Sequence, residues 1–456
     1  MFRSRLSKVC GLSVCLCCLC CLWAGPLWAS GFSVARFSGE HGHPTTDNPT
    51  ALYFNPAALR AERPELLVDG LFGYRRATYA RQAQPSDAPD PSDAQGANVG
   101  LATLDNFLAN PSLWFMLPVT QRLTLGAGVY TVLGGPVNWD KRSDFESSPY
   151  PGAVDGVSRF HSMEGQFTVS YASLGASYGL GESGWRLGLA LNGVYTRIDD
   201  VRAWSGGSNG LKNEGRSLLE VDGIDWSFGA GVFYECACKH FRFGLSYQSR
   251  PNVASGQKLD GKLSNDIGGP SSASVQLHED LPDSVRIGVS YQPQDNLELR
   301  AFGTWERWSA FERQCVTEKG ADCRILPDGS QPNGSRVLTN VPRDFHDAFE
   351  ARLGLSVWSS PRWEWLSGIG VMSQAVPSST LETSLPDFTG VTFSLGARAK
   401  LSDKLAVGLG LSHIVSPSRD AHSTLQNNAA PSQLPSARGH YTQSVSYADL
   451  NAAVRF

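Results

Sequence analysis

"LPDSVRIGVSYQPQDNLELRAFGTWERWSAFE" (residues 281–312) decides the fold. Val285, Ile287, Val289 and Tyr291 share one parity, and Arg286, Gly288, Ser290 and Gln292 share the other. Successive side chains of an extended chain point to opposite sides, so a period of two marks a strand with one apolar face. The run ends at Pro293-Gln294-Asp295-Asn296, a tight turn, and a second strand begins at Leu297. Two such strands around so short a connection form an antiparallel hairpin.

The same pattern recurs along the chain. In "WRLGLALNGVYT" (185–196), Leu187, Leu189 and Leu191 oppose Arg186, Gly188, Ala190 and Asn192. "FEARLGLSVW" (349–358) and "KLAVGLGLSH" (404–413) alternate in the same way. Tight turns (181–184, 293–296, 359–362, 401–404) separate paired strands. Long polar stretches (82–110, 134–163, 250–282, 312–344, 416–439) separate the pairs. Strands are expected over 65–81, 111–121, 123–133, 164–180, 185–203, 218–235, 240–249, 283–292, 297–311, 346–358, 363–374, 389–400, 404–415 and 441–456. About fourteen strands, an even number, with tight turns at one end and long loops at the other, predict an all-β antiparallel transmembrane barrel of the outer-membrane type. A soluble β-sandwich accounts for the alternation. It does not account for the loop asymmetry, a secretory leader and the aromatic terminus Phe456 together.

The leader reading rests on Arg3, Arg5 and Lys8, followed by an apolar run from Val9 to Trp23 and a cleavage site after Ala29. Residues 1–29 are therefore expected to be removed as a signal peptide, and with them six of the ten Cys. Losing three basic residues takes the net charge from −4 to −7. Nothing in this balance suggests nucleic acid. Of the remaining cysteines, Cys315 and Cys323 are spaced to close a small disulfide, and Cys236 and Cys238 form a C-x-C step. No metal site is expected, because no His/Cys pairs have zinc-like spacing, and no cofactor is implied.

A barrel of this size has a lumen too wide for its own side chains to fill. Residues 30–64 precede the first strand, alternate poorly, and contain "NPTALYFNPAALR" (48–60) with two Asn-Pro turns. They are read as a hatch inside the barrel (65–456).

Several stretches resemble the FadL family of outer-membrane transporters for long-chain fatty acids and other hydrophobic compounds, which includes TodX-type toluene channels. These are "SGFSVARFSGE" (30–40), "TALYFNPAALR" (50–60), residues 281–312, "AFEARLGLSVWSSPRWEWLSGIGVMSQAVP" (348–377) and "SLPDFTGVTFSLGARAKLSDKLAVGLGLSHI" (384–414). The resemblance implies a fourteen-stranded barrel with an N-terminal hatch. It also implies capture of an apolar ligand at extracellular loops, transfer to a lumenal pocket, and lateral release into the membrane. The expected partners are hydrophobic small molecules (fatty acids or hydrocarbons), outer-membrane lipids and the barrel assembly machinery.

Site residues follow from the same resemblance. Phe32 is the expected ligand-pocket aromatic, and Asn55, Pro56 and Ala57 form the hatch motif. "VYTRIDDVRAW" (194–204) resembles the strand that carries a ligand-binding arginine. Alternation turns Arg202 to the lumen and Arg197 outward, and a bulge would swap them. His346 stands where fatty-acid binders carry a lysine. Histidine is mostly neutral at pH 7, which leaves room for an uncharged ligand, with Arg343 as a compensating cation. Gly134, Gly135 and Pro136 cannot continue a regular ladder and mark the lateral opening. Arg286, Glu298, Arg300, Glu350 and Arg352 share lumenal parity and read as a charge network bracing the hatch. Two other functions are compatible with a barrel. A lipid-acting enzyme needs a Ser-His pair, and no serine here has a recognisable nucleophile setting. A general diffusion porin would conduct ions freely.

Overall fold

The computed structural model describes residues 42–84, 87, 89–205, 210–266, 270–326, 330–422 and 435–456. The leader 1–29, Phe32 and the first part of the expected hatch lie outside the described residues. The strands are β1 (Glu65–Arg81), β2 (Gly100–Pro118), β3 (Leu123–Asn138), β4 (Glu164–Gly179), β5 (Trp185–Ser205), β6 (Glu214–Glu235), β7 (Phe241–Gln248), β8 (Gln257–Asn265), β9 (Ser271–Glu279), β10 (Ser284–Gln294), β11 (Leu297–Glu306), β12 (Arg313–Glu318), β13 (Val337–Pro342), β14 (Ala348–Ser360), β15 (Trp363–Met372), β16 (Gly390–Lys400), β17 (Leu405–Val415), β18 (Arg419–Ala421) and β19 (Gly439–Arg455).

Fourteen of these close a barrel in the order β1–β7, β10, β11, β14–β17, β19, with every pair antiparallel. The first and last strands seal it over their whole length, from Glu65↔Arg455 to Arg81↔Gly439. Closure removes the sheet edge, which hydrocarbon would otherwise leave unsatisfied. Parity sorts the side chains as the sequence implies. Ile287, Val289 and Tyr291 are exposed on the outer face, while Ser284, Arg286 and Ser290 are buried on the inner one. Leu187, Leu189, Leu191, Leu353, Leu395, Leu409 and Leu411 continue the apolar exterior.

The connections depart from expectation in three places. Strand β2 begins at Gly100, well before Pro111, where the expected strand starts. Strand β3 runs through Gly134, Gly135 and Pro136 to Asn138, still paired with β4. The stretches 250–282 and 312–344 are not simple loops. The outer half of β6 (Ser217–Asp222) pairs β8, and the sheet continues through β9 and β12 to β13. These four strands raise one side of the barrel into a wall above its rim. Cys315, on β12, is joined to Cys323 by a disulfide, and Cys236 is joined to Cys238 in the tight β6–β7 turn.

Residues 42–64 lie inside the barrel. Ala51–Phe54 form one helical turn and Pro56–Ala58 a 3-10 turn. Both Asn-Pro steps are fixed by the asparagine side chain. Asn48 Oδ1 accepts from Thr50 N at 2.9 Å, and Asn55 Oδ1 accepts from Ala57 N at 3.0 Å. Such local bonds are why asparagine opens turns. Asn55 also donates to Pro44 O (2.9 Å) and to Val232 O (3.0 Å) on the barrel wall.

The wall has made room for this segment. A Cβ on Gly188 would stand 2.1 Å from Ala57 N, and one on Gly231 would stand 2.0 Å from Asn55 Oδ1. At Gly244 it would meet Pro44 O at 2.1 Å, and at Gly175 it would meet Leu52 Cδ1 at 2.5 Å. Four consecutive barrel strands thus present a glycine floor on which the backbone of the segment rests. Lower down, Glu235 receives Arg60 from the segment, and Arg242 links Glu235 (3.1 Å) to Asp47 (3.4 Å).

Candidate ligand-binding site

Two cavities occupy the space left by the inner segment. The first is a groove at the foot of the raised wall. Its sides are apolar, with Ile198 (β5), Leu219 (β6), Leu263 (β8), Leu277 (β9), Val316 (β12) and Val341 (β13). Its floor carries Arg202, Gln314 and Arg343. Period-two alternation on the rim strands turns these aliphatic groups to one face.

Both floor arginines are already paired. Arg202 contacts Asp200, and Arg343 contacts Glu382 while donating to Gln314 Oε1 at 3.0 Å. His161 Nδ1 reaches the other Glu382 oxygen at 2.6 Å. Burial acts to raise the Glu382 carboxyl. The Arg343 guanidinium, helped by His161 and Arg202, outweighs it and holds the group well below the usual carboxylate range. Gln314 passes its other side to Glu279 Oε2 at 2.8 Å. Glu279 is buried, and burial pushes its carboxyl up to about 7 against the weaker pull of Gln314 and Arg343. These groups tie four long connections into one polar knot.

The second cavity lies deeper and measures about 250 Å3. An apolar cavity of about 150 Å3 holds a benzene ring, so this one has room for a substituted ring or part of an acyl chain. Trp308, Phe311 and Phe345 line it as an aromatic cluster with centroids 5.0 to 5.9 Å apart. Val137, Phe167, Ser384 and Leu385 line both cavities. These four residues therefore stand between the two spaces.

One cation faces the deeper cavity. Arg75 of β1 donates from Nε to Gln443 Oε1 at 2.8 Å and from Nη2 to Pro386 O at 3.1 Å. It forms no ion pair among the described residues. Asp387 lies nearby, but its carboxylate is held by the Ala375, Val376 and Phe388 amides. Sequence reasoning missed Arg75, although the parity that selected Arg202 also puts Arg75 with inward-facing Leu71 and Tyr79.

The deeper cavity reaches the barrel wall where the ladder between β2 and β3 fails. Those strands pair only from Leu113↔Val129 down to Pro118↔Thr124. Contact resumes higher up, at the Leu104↔Trp139 bridge and where Asn106 Nδ2 donates to Pro136 O. Between these points, residues 107–112 and 130–135 have no partner across the gap. At about 3.3 Å per residue this is an unpaired interval nearly 20 Å long. Strand β3 also carries a bulge between Thr131 and Leu133. Gly134, Gly135 and Pro136 line the cavity here. They interrupt the ladder toward β2 but not the one toward β4.

The remaining expected site residues are scattered. Arg197 is on the outer face, pairs with Asp199 at 2.7 Å and itself lines neither cavity. His346 is exposed and lines neither cavity. Residues 343–347 are coil between β13 and β14, so the strand parity of β14 does not extend back through them. Arg343 and Phe345 point inward and His346 outward. Arg343, expected as the compensating cation, is the buried basic group of this stretch. Asn55, Pro56 and Ala57 contact the wall and not the cavities.

Comparison with known proteins agrees with this architecture. The profile of a family described as "Outer membrane protein transport protein (OMPP1/FadL/TodX)" matches residues 26–456. Outer membrane protein P1 of Haemophilus influenzae is 22% identical over 330 residues, which is 67% of this chain and 65% of that protein. The chain thus spans just under two thirds of the length of the curated relative. Among solved structures, a Pseudomonas aeruginosa FadL homologue superposes with a TM-score of 0.74 at 16% identity, covering 95% of this chain and 99% of that one. The Ralstonia pickettii toluene transporter TbuX gives 0.63 at 16% identity, covering 94% and 99%. At these identities the structural likeness speaks for the fold.

Proposed function

Because the chain belongs to the OMPP1/FadL/TodX family of outer membrane transport proteins, we propose that it carries hydrophobic small molecules, long-chain fatty acids or hydrocarbons, passively through the bacterial outer membrane. The observation that carries this reading is the succession of its apolar spaces. A groove at the rim adjoins a deeper cavity across Phe167 and Leu385, and that cavity ends at the unpaired stretch between β2 and β3.

The ligand is captured in the rim groove, slips past Phe167 and Leu385, and rests among Trp308, Phe311 and Phe345. Each buried methylene contributes about 0.8 kcal/mol, so an apolar path holds an acyl chain or ring that water would reject. Exit through the β2–β3 gap delivers it to the hydrocarbon layer, where Phe72, Phe107 and Val129 are exposed. Residues 42–64, the described part of the expected hatch, block the axial route; Phe32, the expected ligand-pocket aromatic, lies outside the described residues. Outer-membrane lipids receive the cargo, and the barrel assembly machinery inserts the chain. No enzymatic step is needed.

The test is uptake of radiolabelled oleate and of toluene by cells whose own hydrophobe channel is deleted. Expression should restore uptake of at least one, while the purified protein conducts little in planar bilayers. High conductance without uptake would instead favour a diffusion porin, and ester hydrolysis would favour an enzyme.

A further inference from the structure

The gap between β2 and β3 is expensive. Backbone groups along 107–112 and 130–135 that face it lack ladder partners, and hydrocarbon offers none. Irregular backbone at membrane depth is tolerated where it lines a cavity, as it does here. The sequence trims the cost with Pro136. In a strand the N and O of one residue point to the same side, and the Pro136 carbonyl faces Asn106 across the gap. Its missing N–H is therefore one donor fewer to satisfy.

One side chain of β2 reaches across the gap to β3. Leu108 is on the lumenal parity of β2, and its partner on β1 is Gly73. A Cβ added to Gly73 would lie 2.8 Å from Leu108 Cγ, and one added to Gly135 would lie 3.7 Å from Leu108 Cδ2. Leu108 is thus seated on a glycine of β1 and reaches a glycine of β3, spanning the interval the ladder leaves open. A Cβ at Gly73 would displace it, whereas at Gly135 a methyl would only touch it and a branched side chain is needed to crowd it. Above it, the Asn106 amide holds β3 to β2 by a single side-chain bond. Rotating Leu108 breaks no ladder hydrogen bond with β3, because none exists at that height.

We propose that Leu108 is the door of the side opening and the Asn106–Pro136 hydrogen bond its latch, so that Leu108 sets the size and rate of lateral release. This rests on the reading that ligand leaves between β2 and β3. Leu108 is a gating residue whose rotation passes a chain or single ring and retains bulkier cargo. Gly135 keeps the opposite jamb bare.

The experiment compares Leu108→Ala, Leu108→Trp and Gly135→Val in intact cells and as detergent-solubilised protein. Radiolabelled oleate and toluene are the probes. Folding is checked by heat-modifiable gel migration. Overfilling the opening should cut initial uptake roughly tenfold in Leu108→Trp. Equilibrium binding of the same probe should fall several-fold less than uptake, since Leu108 also lines the cavity. Leu108→Ala should raise the uptake rate. Gly135→Val, which fills the same space from the other strand, should reproduce the block if the tryptophan variant fails to fold. Wild-type uptake by Leu108→Trp or Gly135→Val, or equal loss of binding and uptake, would overturn the assignment while leaving transport itself standing. Absence of uptake by the parent protein would overturn the transport reading and this one with it.

Discussion

Arg286 of β10 holds Tyr53 of the inner segment in two ways: its guanidinium lies 4.3 Å from the ring centroid, and Nη1 donates to the Tyr53 carbonyl at 3.3 Å. The ring also packs against Tyr130 (5.4 Å) and Tyr171 (6.3 Å) on β3 and β4. One arginine therefore clamps the segment from the side opposite the aromatic pair. A desolvated cation–π contact with a hydrogen bond contributes about 2 kcal/mol. Arg286→Ala should loosen the segment without unfolding a barrel closed by fourteen ladders. Ion conductance in planar bilayers should rise, and limited proteolysis should reach residues 42–64. Unchanged conductance and protection would show that Arg286 does not hold the segment in place.

The glycine floor makes a second prediction. Gly188→Ala places a methyl 2.1 Å from Ala57 N, where backbone, not a flexible side chain, must move. Overpacking of this kind costs about 1–3 kcal/mol. Gly193→Ala on the same strand meets nothing closer than 3.9 Å and serves as the control. The first variant should form a barrel with a displaced segment, seen as raised conductance and faster hydrogen exchange over residues 51–58. The second should match the parent. If both match the parent, the floor is not a seat for the segment.

How much of this was legible depended on which solvent each face meets. Ile287 and Leu189 face lipid while Arg286 and Asn192 face the lumen, so their strands alternate sharply and could be read directly. The rim strands β8 and β9 stand above the membrane. There Lys258, Lys262 and Ser272 face water while Leu259 and Leu277 face the groove, and the contrast is diluted by Gly, Ser and Asn. They read as polar loops. His346 lies in the coil 343–347 that joins β13 to β14, where alternation gives no guide to side-chain direction. The opening between β2 and β3 is visible only as unusual residues on one strand. That those residues keep one neighbour and lose the other is a property of pairing, which a single strand's sequence does not encode.

Arg75 separates the two ligand classes left open by the family. It is the cation facing the deeper cavity, it forms no ion pair among the described residues, and charged guanidinium in apolar surroundings favours an anionic partner. Arg75→Met keeps the length and removes the charge. If the cargo carries a carboxylate, uptake of oleate should fall about tenfold, the worth of one charge-assisted hydrogen bond, while toluene uptake changes little. Equal, small effects on both would mean that Arg75 only bridges Gln443 and Pro386, and that neutral compounds are the natural cargo.

The polar knot at the rim should make the raised wall sensitive to pH. Glu279 is buried on β9, its Oε1 has no hydrogen-bond partner among the described residues, and its carboxyl stands at about 7. Its unfolded value is near the ordinary glutamate value of about 4.3. The folded wall therefore holds the proton more tightly than the unfolded one. The stability this lends is fully present below about pH 4.3 and is lost as pH rises to about 7, a change on the order of 3–4 kcal/mol. Arg343 offsets part of this cost and Asp280 adds to it. Glu382 acts in the opposite sense, since its lowered value contributes stability above the ordinary range that is lost only in stronger acid. Hydrogen exchange over residues 257–279 should accordingly quicken, relative to the barrel strands, between pH 5 and about 7 beyond the intrinsic rate change. Glu279→Gln keeps the bond to Gln314 as a neutral amide and should flatten that dependence, leaving the wall more protected at pH 8 than in the parent protein. A profile that stays steep in the glutamine variant would place the titrating group elsewhere in the rim.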